Sequence, residues 1–182
     1  MFVVFRTGDL PLNQVRSNLA LSQMTLERLY LLENPPRFKC TYYEFGSDNL
    51  SSNARLDLKP VALLLLRHKT LKIRVEGRVQ PDAPDWIKEK LSERRAESAA
   101  QTIWLYYCLS CDATGIDPTK RSLADRIEVK GMRSEPLVNC NFIETRAFQA
   151  TNEALLATER SPDTYQAWAQ LWRRVDISIV SI

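Results

Sequence analysis

A chain of 182 residues with 45% hydrophobic and 26% charged side chains has the make-up of a folded globular protein, long enough to bury a core without metals or disulfides. The net charge of +3 arises from 25 basic and 22 acidic residues that interleave, so no basic stripe forms and no nucleic-acid partner is expected. No segment approaches the about 18 consecutive apolar residues of a membrane-spanning helix, the longest apolar run being residues 61–66.

The first residues, Met1-Phe2-Val3-Val4-Phe5, are too short an apolar stretch for a signal-peptide core. Two placements stay open: the interior of a cell or organelle, or the periplasm and cell envelope if an export signal lies outside this chain. Residues 1–36 read as an N-terminal extension, a short strand followed by a helix within residues 12–33, and Pro35-Pro36 marks the boundary. Residues 37–182 then form the main domain.

Aromatic and Thr-rich residues 38–46 predict a strand, with a turn at Gly46-Ser47-Asp48-Asn49. Ser51 or Ser52 can cap a helix running to about His68, and Pro60 either kinks it or marks its true first turn. Leu71, Ile73 and Val75 alternate with Lys72, Arg74 and Glu76, the period of a strand with one buried face. After the loop Pro81-Asp82-Ala83-Pro84, Asp85 is the expected N-cap of a long helix over residues 86–111. Ser92, Ala96, Ala99, Ile103 and Tyr106 give that helix a small-residue face able to lie close on a sheet. Gly115 supplies its left-handed cap. Residues 127–131 repeat the strand alternation. Residues 139–170 read as irregular chain with short helices such as 146–157 and 163–171, and Val175, Ile177 and Ile179 alternate with Asp176 and Ser178 in a last strand.

Strands with one apolar and one polar face call for a single sheet with helices on one side and solvent or a partner on the other. The expected fold class is an α/β (α+β) two-layer sandwich in β-α-β-α-β order with adjacent crossovers.

Chemistry-bearing patterns are few. Cys108 and Cys111 form a C-x-x-C at the end of a helical pattern, with Cys40 and Cys140 isolated, which suits buried or half-buried thiols better than a zinc or redox site. The one histidine, His68, falls at a helix end, where it complements the helix dipole. No nucleophile elbow, metalloprotease or phosphate-loop motif occurs. No enzyme activity, catalytic residue, metal or cofactor is therefore expected. Trp86, Trp104, Trp168 and Trp172, with Tyr106, Tyr107 and Tyr165, are either anchors for a protein partner or core residues.

Five short motifs occur in order. They are Val75-Glu76-Gly77; Leu91-Ser92 followed by Arg95-Ala96; Gly115-Ile116; Val129-Lys130-Gly131 with Ser134-Glu135-Pro136; and Arg173-Arg174-Val175-Asp176-Ile177. In this order and spacing the chain resembles the OmpA-like family over about residues 41–182, with insertions around 112–126 and 139–171. The resemblance implies the family's β-α-β-α-β-(α)-β order, one mixed sheet and helices on one face. It also implies non-covalent binding of the peptidoglycan stem peptide, in which an Asp and an Arg hold the charged ends of diaminopimelate. Arg95 matches the Arg, whose planar fork grips a carboxylate at two points. Gln80 stands where the family has Asp, Lys88 where it has Asn, and Arg78 and Val79 where it has His and Thr, so the pocket loses its anion and gains cations. Asp82 or Asp85 could replace the lost carboxylate. By residue reading alone, Arg95 could instead pair with Glu93 or Glu97, and Arg173 and Arg174, also candidates for the ligand site, could be a sheet-end charge pair.

The residues thus define two functional expectations. One is a non-catalytic OmpA-like module repurposed as a scaffold subunit with protein partners. The other is a peptidoglycan-binding envelope anchor using Gln80, Asp82, Lys88, Arg95, Arg173 and Arg174.

Overall fold

The computed structural model describes residues 41–135 and 162–181, with isolated positions 26, 29–31 and 38. The expected strand near the N-terminus, much of the helix within residues 12–33, the helix at 146–157, Cys40, Cys140, Pro136 and the Trp168 side chain lie outside the described residues. The described residues from Thr41 onward belong to one unit, Arg37–Ser181. Its elements are β1 (Thr41–Tyr42), α1 (Ser52–Arg67), β2 (Lys72–Gly77), α2 (Asp85–Ala113), a short 3₁₀ turn (Pro118–Arg121), β3 (Ile127–Gly131), α3 (Pro162–Trp172) and β4 (Arg174–Ser181).

The four strands form one mixed sheet in the order β1-β4-β2-β3. β2 and β3 run parallel through the α2 crossover, and β4 runs antiparallel to both β1 and β2. This is the α+β class and mixed sheet that the sequence implied. The crossover from β1 to β2 is not between adjacent strands, because β4 returns from the end of the chain and lies between them. β1 is also shorter than the predicted strand. The chain leaves the sheet after Tyr43 to make the Glu44–Ser47 turn, with Gly46 left-handed at φ +68°.

Helix α1 starts where Ser51 accepts the Ala54 amide at 3.2 Å. It runs through Pro60, which lies on its exposed side, and buries Ala54, Leu58, Val61, Ala62 and Leu65. Its far end is closed by a residue the sequence did not single out. Arg126 donates to the carbonyls of Leu65 and His68 at 2.6 Å each and to that of Leu71 at 3.1 Å. A cation among the last carbonyls of a helix satisfies orphan acceptors and opposes the dipole together.

Helix α2 begins one residue earlier than expected. Pro84 holds the cap position without a side-chain bond, so Asp85 is not the N-cap. Asp85 lies in the first turn, where its carboxylate favours the positive helix end, and binds Lys88 at 3.0 Å. The buried stripe runs through Ser92, Ala96, Ala99, Ile103, Tyr107 and Cys111. Four residues on from Ile103 is Tyr107, so the helical pitch buries Tyr107 and leaves Tyr106 half-buried. Gly115, at φ +67°, ends the helix as predicted, with the Ile116 amide returning to Cys111 O at 2.9 Å.

The seam between α2 and the sheet is set by two glycines. Gly77 and Gly131 are register partners on β2 and β3. A Cβ on Gly77 would come 1.9 Å from the Ser92 carbonyl oxygen, and one on Gly131 would come 2.7 Å from the Ser92 hydroxyl and 2.9 Å from the Glu93 amide nitrogen. The helix backbone rests directly on the sheet there, which explains why Gly, Ser and Gly stand at these motif positions.

The polar face departs from expectation, since its inner part is buried. Glu76 and Asp176 are opposed across β2 and β4, a destabilising pairing unless a cation intervenes. Arg78 supplies it. Its Nε donates to Asp176 at 2.7 Å, one terminal nitrogen to Glu76 at 3.1 Å and the other to the Glu135 carbonyl at 2.6 Å. Arg174 adds a second cation 3.1 Å from Asp176. The two carboxylates and two guanidinia balance in charge, which is what burial of such groups demands. Among the described residues no helix is long and apolar enough to cross a membrane, and no cluster of three or more His, Cys, Asp or Glu could hold a metal ion.

Gly77→Ala is expected to lower stability by about 3 kcal/mol, because the clash is with backbone that cannot rotate away. Gly115→Ala has open space and is expected to cost only about 1 kcal/mol, for its left-handed φ. Urea unfolding of the two variants beside wild type measures the difference.

Candidate functional site

Beyond the end of β2, the chain passes through Arg78, Val79 and Gln80 into the loop before α2. Val79 is held there by the Arg133 carbonyl, which accepts its amide at 2.8 Å, and by the Ser134 hydroxyl, which donates to its carbonyl at 3.0 Å. The Ser134-Glu135 part of the motif thus braces the exit of β2. A cleft of about 270 Å³ opens beside it, lined by Phe45 and Gly46, by Val79, Gln80 and Asp82, by Ile87, Leu91 and Arg95 of α2, and by Tyr165 of α3.

Three of the sequence-predicted residues, Gln80, Asp82 and Arg95, meet in this cleft. Arg95 is fully buried. Its Nε donates to the Ser47 carbonyl at 2.9 Å, and its terminal nitrogens donate to the carbonyls of Arg78 at 2.9 Å and Glu44 at 3.2 Å. The guanidinium also lies over the Tyr43 ring at 5.2 Å, and the Tyr43 hydroxyl donates to the Arg95 carbonyl at 2.7 Å. Neither Glu93 nor Glu97 is its partner. Three of the five donors of the fork go to main-chain carbonyls from the β1–α1 turn and the exit of β2. Burial pushes the Arg95 guanidinium down to about 10, offset in part by Tyr43, so it stays charged at neutral pH. Burial likewise pushes the Tyr43 phenol well above its usual range.

Gln80 is buried at the cleft wall, while Asp82 is exposed at its mouth and accepts a hydrogen bond from the Tyr165 hydroxyl. The other candidates lie elsewhere. Lys88 is tied to Asp85 and is not part of the lining. Arg173 lines a neighbouring hollow of about 380 Å³ with Tyr42, Tyr43 and Gln170. It stacks 5.8 Å from the Phe45 ring, and its Nε donates to the Ala169 carbonyl at 3.2 Å. Burial pushes its guanidinium down. Arg174 is on the buried polar face with Asp176. Arg78, expected to add a cation to the pocket, is turned into the same network because Glu76 and Asp176 require it there.

The cleft therefore offers a ligand one amide, one exposed carboxylate and an apolar wall, beside a guanidinium whose hydrogen bonds run to main-chain carbonyls. Sequence reasoning missed Tyr43 and Phe45 as parts of this region. Their only signal was an aromatic run ahead of the Gly46 turn.

The aromatic side chains divide. Tyr107 and Trp172 are core, whereas Trp86 and Trp104 are 68% and 56% exposed and remain available as anchors. Cys108 and Cys111 are free thiols, one half-buried and one buried. Burial, with Cys111 and Asp112 nearby, pushes the Cys108 thiol up, so little thiolate is present at neutral pH.

No family model matches the chain, and no curated protein does. Solved structures are similar to it. The peptidoglycan-associated lipoprotein from Burkholderia pseudomallei is 18% identical with a TM-score of 0.49, the match covering 79% of this chain and 90% of that one. The C-terminal domain of Helicobacter pylori MotB is 14% identical with a TM-score of 0.49, covering 79% and 85%. An outer membrane protein from Borrelia burgdorferi is 17% identical with a TM-score of 0.44, covering 77% and 83%.

Arg95→Ala removes the donors to the buried Arg78 carbonyl and the part-buried Ser47 and Glu44 carbonyls, empties a fully buried side-chain site, and is expected to cost about 4 kcal/mol of stability. Tyr43→Phe loses one buried hydrogen bond and is expected to cost about 1 kcal/mol, while Asp82→Asn at the exposed mouth changes stability by less than about 0.5 kcal/mol. Denaturant midpoints of the three variants test this ranking.

Proposed function

We infer that this chain is a non-catalytic OmpA-like binding module that serves as a structural subunit of a larger protein assembly. One observation carries the reading: the arginine at the family's ligand position spends its fork on the Glu44, Ser47 and Arg78 carbonyls. A guanidinium used in this way ties the walls of the cleft together and has fewer donors left for a ligand carboxylate. Gln80 cannot supply the negative charge that an ammonium group needs. Loss of one partner from a charge-assisted pair weakens binding by about 1.5–3 kcal/mol, roughly ten- to a hundredfold. The exposed Trp86 and Trp104 are suited to anchor a protein partner. The extension of residues 1–36 adds a second segment through which an assembly could be held.

The alternative, a peptidoglycan-binding envelope anchor, is favoured by the gathering of Gln80, Asp82 and Arg95 around one cleft. There Asp82 would act as the replacement carboxylate.

Sedimentation with insoluble peptidoglycan separates the two. The full chain is expected to remain in the supernatant. Pelleting of wild type that disappears in Asp82→Asn, a variant that leaves the Arg95 clamp intact, would overturn the scaffold reading and establish the anchor.

A further inference from the structure

β3 ends the sheet, and it is a strand with an unusual symmetry in its sequence. Ile127-Glu128-Val129-Lys130-Gly131 carries an acid and a base on either side of a central valine. Glu128, Val129 and Lys130 are all exposed, and among the described residues β3 pairs only with β2.

The hydrogen-bond phase of this edge can be read from its two ends. The Arg126 carbonyl accepts the Ile73 amide at 2.9 Å, and the Met132 amide donates to the Gly77 carbonyl at 2.8 Å. Main-chain groups alternate in direction along a strand. Residues 126, 128, 130 and 132 therefore turn theirs toward β2, and Ile127, Val129 and Gly131 turn theirs to the open edge.

We propose that this edge is a homodimer interface, in which β3 pairs antiparallel with β3 of a second copy about a two-fold axis at Val129. In that register Val129 faces the partner's Val129 and exchanges both hydrogen bonds with it, and Ile127 does the same with the partner's Gly131. On the polar face, Glu128 falls opposite the partner's Lys130, and Lys130 opposite the partner's Glu128. Each cross-strand pair is of opposite charge, and a self-complementary patch of this kind is what a two-fold interface requires. The charge pattern continues inward. Arg74 binds Glu128 at 2.9 Å within one copy, and Lys130 is in register with Glu76. Across the joined sheets the row would read Arg74, Glu128, the partner's Lys130, the partner's Glu76, alternating in sign at every step.

The helix face fits the same geometry. Ser92 of α2 touches both Gly77 and Gly131, which sets the helix above the β2–β3 seam. Strands lie about 4.8 Å apart, so the two copies of α2 would run about 10 Å apart, a normal helix-packing distance. Within each copy an apolar groove of about 490 Å³ lies between α2, the 3₁₀ turn with its following loop, and β3, lined by Trp104, Cys108, Leu123, Ile127 and Val129. Trp104 is 56% and Val129 39% exposed there, and a second copy would cover both.

The test is a charge swap followed by sedimentation equilibrium on the full chain. Wild type is expected at twice its monomer mass. Glu128→Lys and Lys130→Glu each place like charges opposite one another and are expected to fall to monomer mass. An equimolar mixture of the two variants restores both attractive pairs, and the mass is expected to double again. As a second readout, Val129→Cys would put thiols at the axis, where the Cα separation of about 5.5 Å in such a pair permits a disulfide. A covalent dimer is expected on mild oxidation of that variant and not of wild type. Monomeric wild type, single variants that still dimerise, or a mixture that stays monomeric would each overturn the proposal.

Discussion

A buried guanidinium hydrogen-bonded to main-chain carbonyls organises the end of this molecule that holds the cleft. Arg95 reaches from α2 to the carbonyls of Glu44 and Ser47 in the β1–α1 turn and to that of Arg78 at the exit of β2. Burial of a cation is costly unless its donors are met. Three carbonyls meet them here, and the Tyr43 ring adds its π face. The same contacts satisfy three acceptors in loops that have no ladder partners of their own. One side chain thus fixes where the β1–α1 turn lies against the sheet, and with it the position of Phe45 and Gly46 at the cleft.

A second constraint sits on the other face. Opposing Glu76 to Asp176 in the centre of the sheet commits Arg78 to bridge them. That commitment explains why Arg78, next in chain to a glycine at a ligand-site motif, contributes no charge to the cleft. The absence of that second cation from the cleft is therefore set by Glu76 and Asp176, which do not line it. Two arginines near the same motif are spent on architecture, one inside each face of the sheet.

Local periodicity made much of the fold legible. Alternation at residues 71–76 and 127–131, the glycine stop at Gly115 and the small-residue stripe of α2 all depend on neighbours close in sequence. The insertion of β4 between β1 and β2 was not legible in the same way, because alternation says which face is buried and not which edge is joined. The short span of β1 and the swap of Tyr106 for Tyr107 in the core have similar causes. One depends on a turn pinned by a residue about 50 positions away, and the other on the accumulated pitch of a 29-residue helix. Of the six candidate ligand residues, Gln80, Asp82 and Arg95 line one cleft, but the partners of a long side chain are tertiary facts. Arg126 illustrates the limit: its role at the end of α1 joins carbonyls more than 50 residues distant, and no local pattern marks it.

The two surfaces are related by direction. The cleft lies beyond the C-terminal end of β2, and β3 runs parallel to β2. Antiparallel joining of two β3 edges would therefore send the two clefts to opposite ends of one continuous sheet, with the helix layers on the same side. An anchor that grips a single flat layer gains avidity only if both sites can face that layer together. Clefts at opposite ends cannot both do so without tilting the sheet on its edge. They can join separate partners at the two ends, with the helix layer between them. The proposed edge-paired dimer would suit the bridging role inferred for this chain, with one cleft presented at each end.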